Sequence, residues 1–173
     1  QLLAKHIGLT EQAVEAIFFG SPMHDVGKIG IPDSVLLKEG THTQEEFEIM
    51  KTHATIGANI LRDPDSVILQ AAQEIALTHH ERWDGKGYPM GLRGEEIPVS
   101  GRIVHLVDIY DALRSKRPYK EPFDHKKTCS IIDSEAARFD PEILKGFHAL
   151  AEEFSCLFDD NIDENDLRKT SRL

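Results

Sequence analysis

With 173 residues and 20 Lys plus Arg against 30 Asp plus Glu, the chain carries a net charge of −10, which allows one sizeable core and argues against a surface for polyanionic nucleic acid. No stretch approaches the ~20 consecutive apolar residues of a membrane span, and no charged-then-apolar leader opens the chain, so no membrane partner is expected. Cys129 and Cys156 lack C-x-x-C spacing and read as reduced, buried thiols of a cytoplasmic protein.

Apolar spacing is helical almost throughout and no period-two alternation stands out, which predicts an all-α fold with one domain over 1–158. The opening, Gln1 to Leu9, reads as the end of a helix closed by Gly8, and the chain is expected to be a fragment whose N-terminal helix is truncated. Helices are expected at 11–27, 44–62, 65–80, 100–115, 124–137 and 141–158. Two starts carry clear signals. Thr43 and Glu46 form a capping box, in which hydroxyl and carboxylate each take an orphan amide of the first turn. Asp140 is an N-cap followed by Pro141 at the first helical position. Between Trp83 and Pro98, four glycines and two prolines make a polar loop that no helix can continue. From Asp159 the chain turns acidic and poor in apolar residues, and 159–173 reads as a frayed tail.

Nine histidines are many for this length, and their placement is informative. His24-Asp25, His53, His79-His80 and Asp108 recur at separations of 26 to 29 residues, about one helix and its connection each time. Each group is therefore free to come from a different helix and to converge at one end of a bundle, as bundle metal centres do. Imidazole with carboxylate suits iron, manganese or zinc, and the lack of a placed thiolate weakens a structural zinc site. A lone His on an apolar face is usually a hydrogen-bonded core residue; adjacent pairs such as His24-Asp25 and His79-His80 are wasteful as core packing.

Two longer phrases go further. His24-Asp25-Val26-Gly27-Lys28-Ile29-Gly30-Ile31-Pro32-Asp33 matches an HD signature, and His79-His80-Glu81-Arg82-Trp83-Asp84-Gly85-Lys86-Gly87-Tyr88-Pro89 ends in a GYP signature. Over about residues 2 to 150 the chain resembles the HD-GYP subgroup of the HD phosphohydrolase superfamily, with several motifs in the right order.

The resemblance implies an HD-type helical bundle with a metal centre at its core, hydrolysing cyclic di-GMP to linear pGpG, with GMP as the further product. It implies two or three divalent ions, iron or alternatively manganese, held by His24, Asp25, His53, His79, His80 and Asp108, with Asp25 bridging. Such ions acidify a water and neutralise phosphoryl charge, so no protein nucleophile is required. Lys28 is implied at the scissile phosphate or leaving group, Arg117 and Lys120 at the substrate phosphates, Asp111 at a guanine or behind the ligands, and Tyr88 in the pocket wall. The competing readings are surface charges for Lys28, Arg117, Lys120 and Asp111, and a rigid connection for the GYP turn.

Similar proteins add a histidine, and in three-metal members a carboxylate, from the helix before the HD motif. Those residues are expected upstream of Gln1, leaving this chain with a less complete centre. His6, His42, His105, His125, His148 and Arg114 match no ligand and read as structural or surface residues. The phrase around His24 is similar to HD-GYP domains that follow receiver domains, which implies an N-terminal receiver partner and two-component signalling; diguanylate cyclase domains are a further implied partner of the GYP loop. The alternative is a catalytically weak regulatory module that acts through that loop.

Overall fold

A computed structural model describes residues 1–63, 65–116 and 121–158. The expected tail 159–173 and the candidate phosphate ligands Arg117 and Lys120 lie outside the described residues. Among these, helices are the only regular elements: α1 (Leu2–His6), α2 (Glu11–Gly20), α3 (Asp33–Leu36), α4 (Gln44–Lys51), α5 (His53–Ile60), α6 (Val67–Thr78), α7 (Val99–Arg114), α8 (His125–Ser134) and α9 (Pro141–Ala149). Residues 151–158 are helical as well. Short 3₁₀ helices span Ser21–Met23, Val26–Gly30, Gly94–Glu96 and Ala136–Arg138. The fold is all-α, as the spacing predicts. No described helix is long and apolar enough to cross a membrane.

The start signals act as their chemistry dictates. Thr43 accepts the Glu46 amide while the Glu46 carboxylate accepts the Thr43 amide at 2.7 Å. Asp140 caps α9 through the Glu142 amide at 2.8 Å, ahead of Pro141.

Two expected helices are broken beside a candidate ligand, and the one expected over 141–158 is interrupted at Leu150. The helix expected over 11–27 ends at Gly20, because Pro22 has no amide to offer the Phe18 carbonyl; the Ser21 hydroxyl donates to that oxygen instead, at 3.3 Å. The helix expected over 44–62 is interrupted at Thr52, whose hydroxyl donates to Ile49 O at 2.6 Å while the His53 ring bonds Met50 O at 2.7 Å. Side chains there take carbonyls at the junction of α4 and α5. The thiols also differ from expectation: Cys129 is half-buried and Cys156 exposed.

α6 is the hub. It packs against α2, α5 and α7, while α1 closes on α2 and α9, and α7 meets α8 and α9. Leu3, Val14, Ile17, Ile75, Ile103, Leu106, Ile132 and Phe147 form the main core. A second cluster, Leu61, Ala72 and Ala76 with Met23, Val26 and Leu69, sits under the 3₁₀ stretch. Its alanines let α5 and the 3₁₀ backbone lie close to α6, which is what brings His24, His53 and His79 within reach of one another.

Candidate metal centre

His24 and Asp25 sit on the turn between two 3₁₀ helices. The Val26–Gly30 stretch is pressed onto α5, and Gly27 permits it: a Cβ there would overlap the His53 carbonyl and the Gly57 amide. His53 opens α5, His79 caps the end of α6 with His80 after it, and Asp108 lies on α7.

The candidate ligands gather near the Asp25 carboxylate, which His24, His53 and His79 face directly, while Asp108 lies against His24. Oδ1 lies 3.4 Å from His53 Nε2 and 3.8 Å from His79 Nε2; Oδ2 lies 3.3 Å from His24 Nε2. Asp108 Oδ1 is 3.7 Å from His24 Nε2 on the same side. One ligand atom each from Asp25, His53, His79 and His80 falls within 4.8 Å of the others.

Three rings are aimed by their far nitrogens. Nδ1 of His24 donates to Ser21 O at 2.8 Å, Nδ1 of His53 to Met50 O at 2.7 Å, and Nδ1 of His79 to Ala76 O at 3.0 Å. A carbonyl only accepts, so each Nδ1 carries a proton and each ring turns its Nε2 inward; the buried His53 and His79 rings are neutral and present an Nε2 lone pair. The result is a pocket of acceptors. His53 Nε2 and His79 Nε2 face each other at 3.5 Å, and the buried Oδ1 of Asp25 has no hydrogen-bond partner. Lone pairs converging on a buried carboxylate oxygen call for a cation, and this donor set fits a divalent metal.

Electrostatics divide the centre in two. Burial lowers the pKa of His79 to about 4, helped by the charges of His24 and His53, and lowers that of His80 to about 2. Burial also lowers His53. These rings are neutral and ready to ligate. At His24, burial is outweighed by bonds to Asp25 and Ser21 and the pKa rises. Asp108 is raised by burial, against the pull of His24. Burial would raise Asp25 too, but His24 and Lys28 hold it well below the ordinary carboxylate range.

Of the other expected site residues, Lys28 places Nζ 2.5 Å from Asp25 Oδ2, so its first partner is the Asp25 carboxylate. The backbone from Val26 to Gly30 that joins the two is 3₁₀. Asp111 is exposed and receives the Ser115 hydroxyl at 3.3 Å. With His24, Asp108, Ser21, Ile103 and Val107 it lines a cleft of about 270 Å³ beside the outer half of the centre. Tyr88 stacks on His80, with ring centroids 4.7 Å apart. Gly87 makes that approach possible, since a Cβ there would strike the His80 carbonyl and the Arg82 amide.

Two contacts were not visible in the sequence. His105, buried on α7, bonds His79 O through Nδ1 at 2.8 Å and so fastens the end of α6 to α7. Glu81, 1% exposed, accepts three loop amides. A charged residue directly before a loop of free amides is the one signal that could have found it.

A family model described as "HD domain" matches residues 1–143. A cyclic di-GMP phosphodiesterase of Thermotoga maritima is 49% identical over 164 residues, 94% of this chain and 45% of that protein. The cyclic di-GMP phosphodiesterase response regulator RpfG of Xanthomonas campestris is 47% identical over 144 residues, 83% of this chain and 38% of that protein. A 3′3′-cGAMP-specific phosphodiesterase 2 of Vibrio cholerae is 43% identical, over 83% of this chain and 28% of that protein. The chain spans less than half the length of these curated relatives.

Proposed function

The chain belongs to the HD domain family, in its HD-GYP group, and from that membership we propose that it hydrolyses cyclic di-GMP to linear pGpG and onward to GMP in bacterial signalling. One observation carries the reading: Asp25 Oδ1 faces the His53 and His79 nitrogens while Oδ2 faces that of His24, and the buried Oδ1 has no hydrogen-bond partner. His53, His79 and His80 would hold an ion with Oδ1, and His24 and Asp108 would hold one with Oδ2, with iron or manganese suiting the nitrogen and oxygen donors. When bound, such ions supply Lewis acidity, acidifying water and neutralising charge on phosphoryl oxygens.

The chain's own residues do the rest. Backbone carbonyls of Ser21, Met50 and Ala76 fix the rings before any ion arrives, so little reorganisation is left for binding. Lys28, held at the edge of the centre by Asp25, is placed to contact a phosphate as a point charge. Tyr88 walls the pocket from the His80 side, and Asp111 lines the cleft on the other. Arg117 and Lys120 would add phosphate contacts from outside the described residues.

A related substrate is favoured by one finding: a relative 43% identical is named for 3′3′-cGAMP. The shared centre acts on a phosphodiester and not on a base, so both cyclic dinucleotides fit its chemistry. The relative named as a response regulator supports a receiver domain as partner in the whole protein, and diguanylate cyclase domains are a further proposed partner of the GYP loop. Two free cysteines accord with a reducing, cytoplasmic setting. The test is metal analysis of anaerobically purified protein combined with chromatography of cyclic di-GMP and 3′3′-cGAMP incubations. Linear pGpG formed only by the metal-loaded protein is expected. A fully loaded protein that leaves both dinucleotides intact overturns the reading.

A further inference from the structure

Directly after the two ligand histidines, Glu81 is 1% exposed, a burial that a carboxylate tolerates only when its oxygens are satisfied. Its partners are three consecutive amides of the GYP loop. Oε1 accepts from Met90 at 2.7 Å and Gly91 at 3.1 Å, and Oε2 accepts from Leu92 at 3.0 Å. Gly91 has φ of +68°, the left-handed bend that lets neighbouring amides converge on one point.

The Tyr88 ring also meets Phe47 and His53 edge-on, with centroids 6.1 and 6.4 Å apart, and the ends of the loop are tied by Gly85 N to Arg82 O and Gly94 N to Trp83 O. Pro89, Met90 and Gly91 are exposed, and the Tyr88 amide reaches His80 O only at 3.3 Å. This exposed stretch nonetheless delivers the Tyr88 ring onto His80 at 4.7 Å. We propose that Glu81 is a positioning residue: by gathering the Met90, Gly91 and Leu92 amides, its carboxylate holds Tyr88 on His80 and thereby sets the wall of the dinucleotide pocket. The pocket's role rests on the phosphodiesterase reading above; the loop anchor does not. The charge matters as much as the shape. Glutamine keeps one acceptor oxygen and turns an NH₂ toward an amide that needs an acceptor, so an isosteric variant should free the loop without carving a cavity.

The test compares wild type, Glu81→Gln and Glu81→Ala in the intact protein by amide hydrogen exchange, metal analysis and steady-state kinetics with cyclic di-GMP. In wild type, the amides of 90–92 should be protected despite the exposure of the segment, which requires no variant. In E81Q their exchange should accelerate by about tenfold or more while α6 and α7 stay protected. Metal content should hold, and KM should rise about fivefold with kcat changed less than about twofold, as expected when a substrate wall is lost and not a transition-state contact. Adding E81Q to Tyr88→Ala should raise KM no further, a non-additivity that a merely structural role would not produce. Unprotected wild-type amides, unchanged exchange in E81Q, loss of metal in E81Q, or additive effects with Y88A would each overturn the proposal. If no dinucleotide is hydrolysed by the wild type, the exchange measurement still decides whether Glu81 anchors the loop.

Discussion

On one side of the Asp25 carboxylate, His53 and His79 are 1% and 0% exposed; on the other, the His24 side chain is 23% exposed beside the cleft that Asp108 and Asp111 line. The inner side is built from the ends of two packed helices, and its imidazoles are driven neutral by burial. The outer side pairs a histidine that holds its proton more firmly than usual with two carboxylates. Metal and proton compete for the same lone pair. The inner half is therefore already in its ligating state near neutrality, whereas His24 in the outer half gives up a proton to a metal less readily than an ordinary imidazole. The two sides of the Asp25 carboxylate thus differ in their readiness to take up a cation.

The harshest way to break the comparison is to remove what both halves share. Asp25→Ala should lose metal from both sides and keep less than about a tenth of the parent rate, since losing the bridging carboxylate is expected to cost on the order of several kcal/mol in the transition state. Unchanged metal content with near-parent turnover would sink the bridging assignment.

Removing one side at a time sharpens it. His79→Ala should strip the inner ion and most of the activity, while Asp108→Ala should keep the inner ion and lose the outer one. Metal-to-protein ratios of the two variants decide this, and equal losses in both would deny that the halves differ.

The legibility of these residues in the sequence was uneven, for physical reasons. That the candidate ligands lie close together was readable because imidazoles and carboxylates recur at one-helix intervals, a spacing that the packing of α5, α6 and α7 turns into proximity. Backbone at the ligands was not. A continuous helix over 11–27 was expected, but Pro22 removes a donor and the chain tightens into 3₁₀ turns that place His24 and Asp25 together. Nor was the Thr52 break foreseeable, because it depends on side chains competing for carbonyls. His105 was read as structural, yet only the packing of α6 on α7 reveals that it bonds His79 O. Glu81 stayed silent because its partners lie nine to eleven residues ahead, along a loop whose path periodicity does not describe.

A milder probe is acid. His79 and His105 have pKa values of about 4, each lowered chiefly by burial. A histidine lowered on folding takes up its proton only after unfolding, so between about pH 6.5 and 4 the unfolded state binds more protons and stability falls as pH falls. His24 is shifted the other way, and its contribution is present in acid and lost as pH rises through its elevated value. The metal-free protein should therefore lose stability on acidification below about pH 6.5, with His24 opposing only part of the loss. Denaturant midpoints that stay level from neutrality down to about pH 4 would contradict the buried, neutral state of the inner rings.

The smallest change is expected at Lys28, which touches the bridge but holds no ion. Lys28→Ala should leave metal content near normal and lower turnover or substrate affinity by roughly tenfold or less, the behaviour of a phosphate contact. Metal loss in this variant would mean that its pairing with Asp25 is structural.

The inequality of the two halves is tested most directly by anaerobic equilibrium dialysis of the protein against Fe(II) or Mn(II) on either side of the ordinary histidine pKa, at about pH 6 and about pH 8. One ion per chain retained at the lower pH, with further binding only at the higher pH and abolished by His24→Ala, is the expected result. Ions that bind and leave together at both pH values, in wild type and H24A alike, would contradict a centre divided by Asp25.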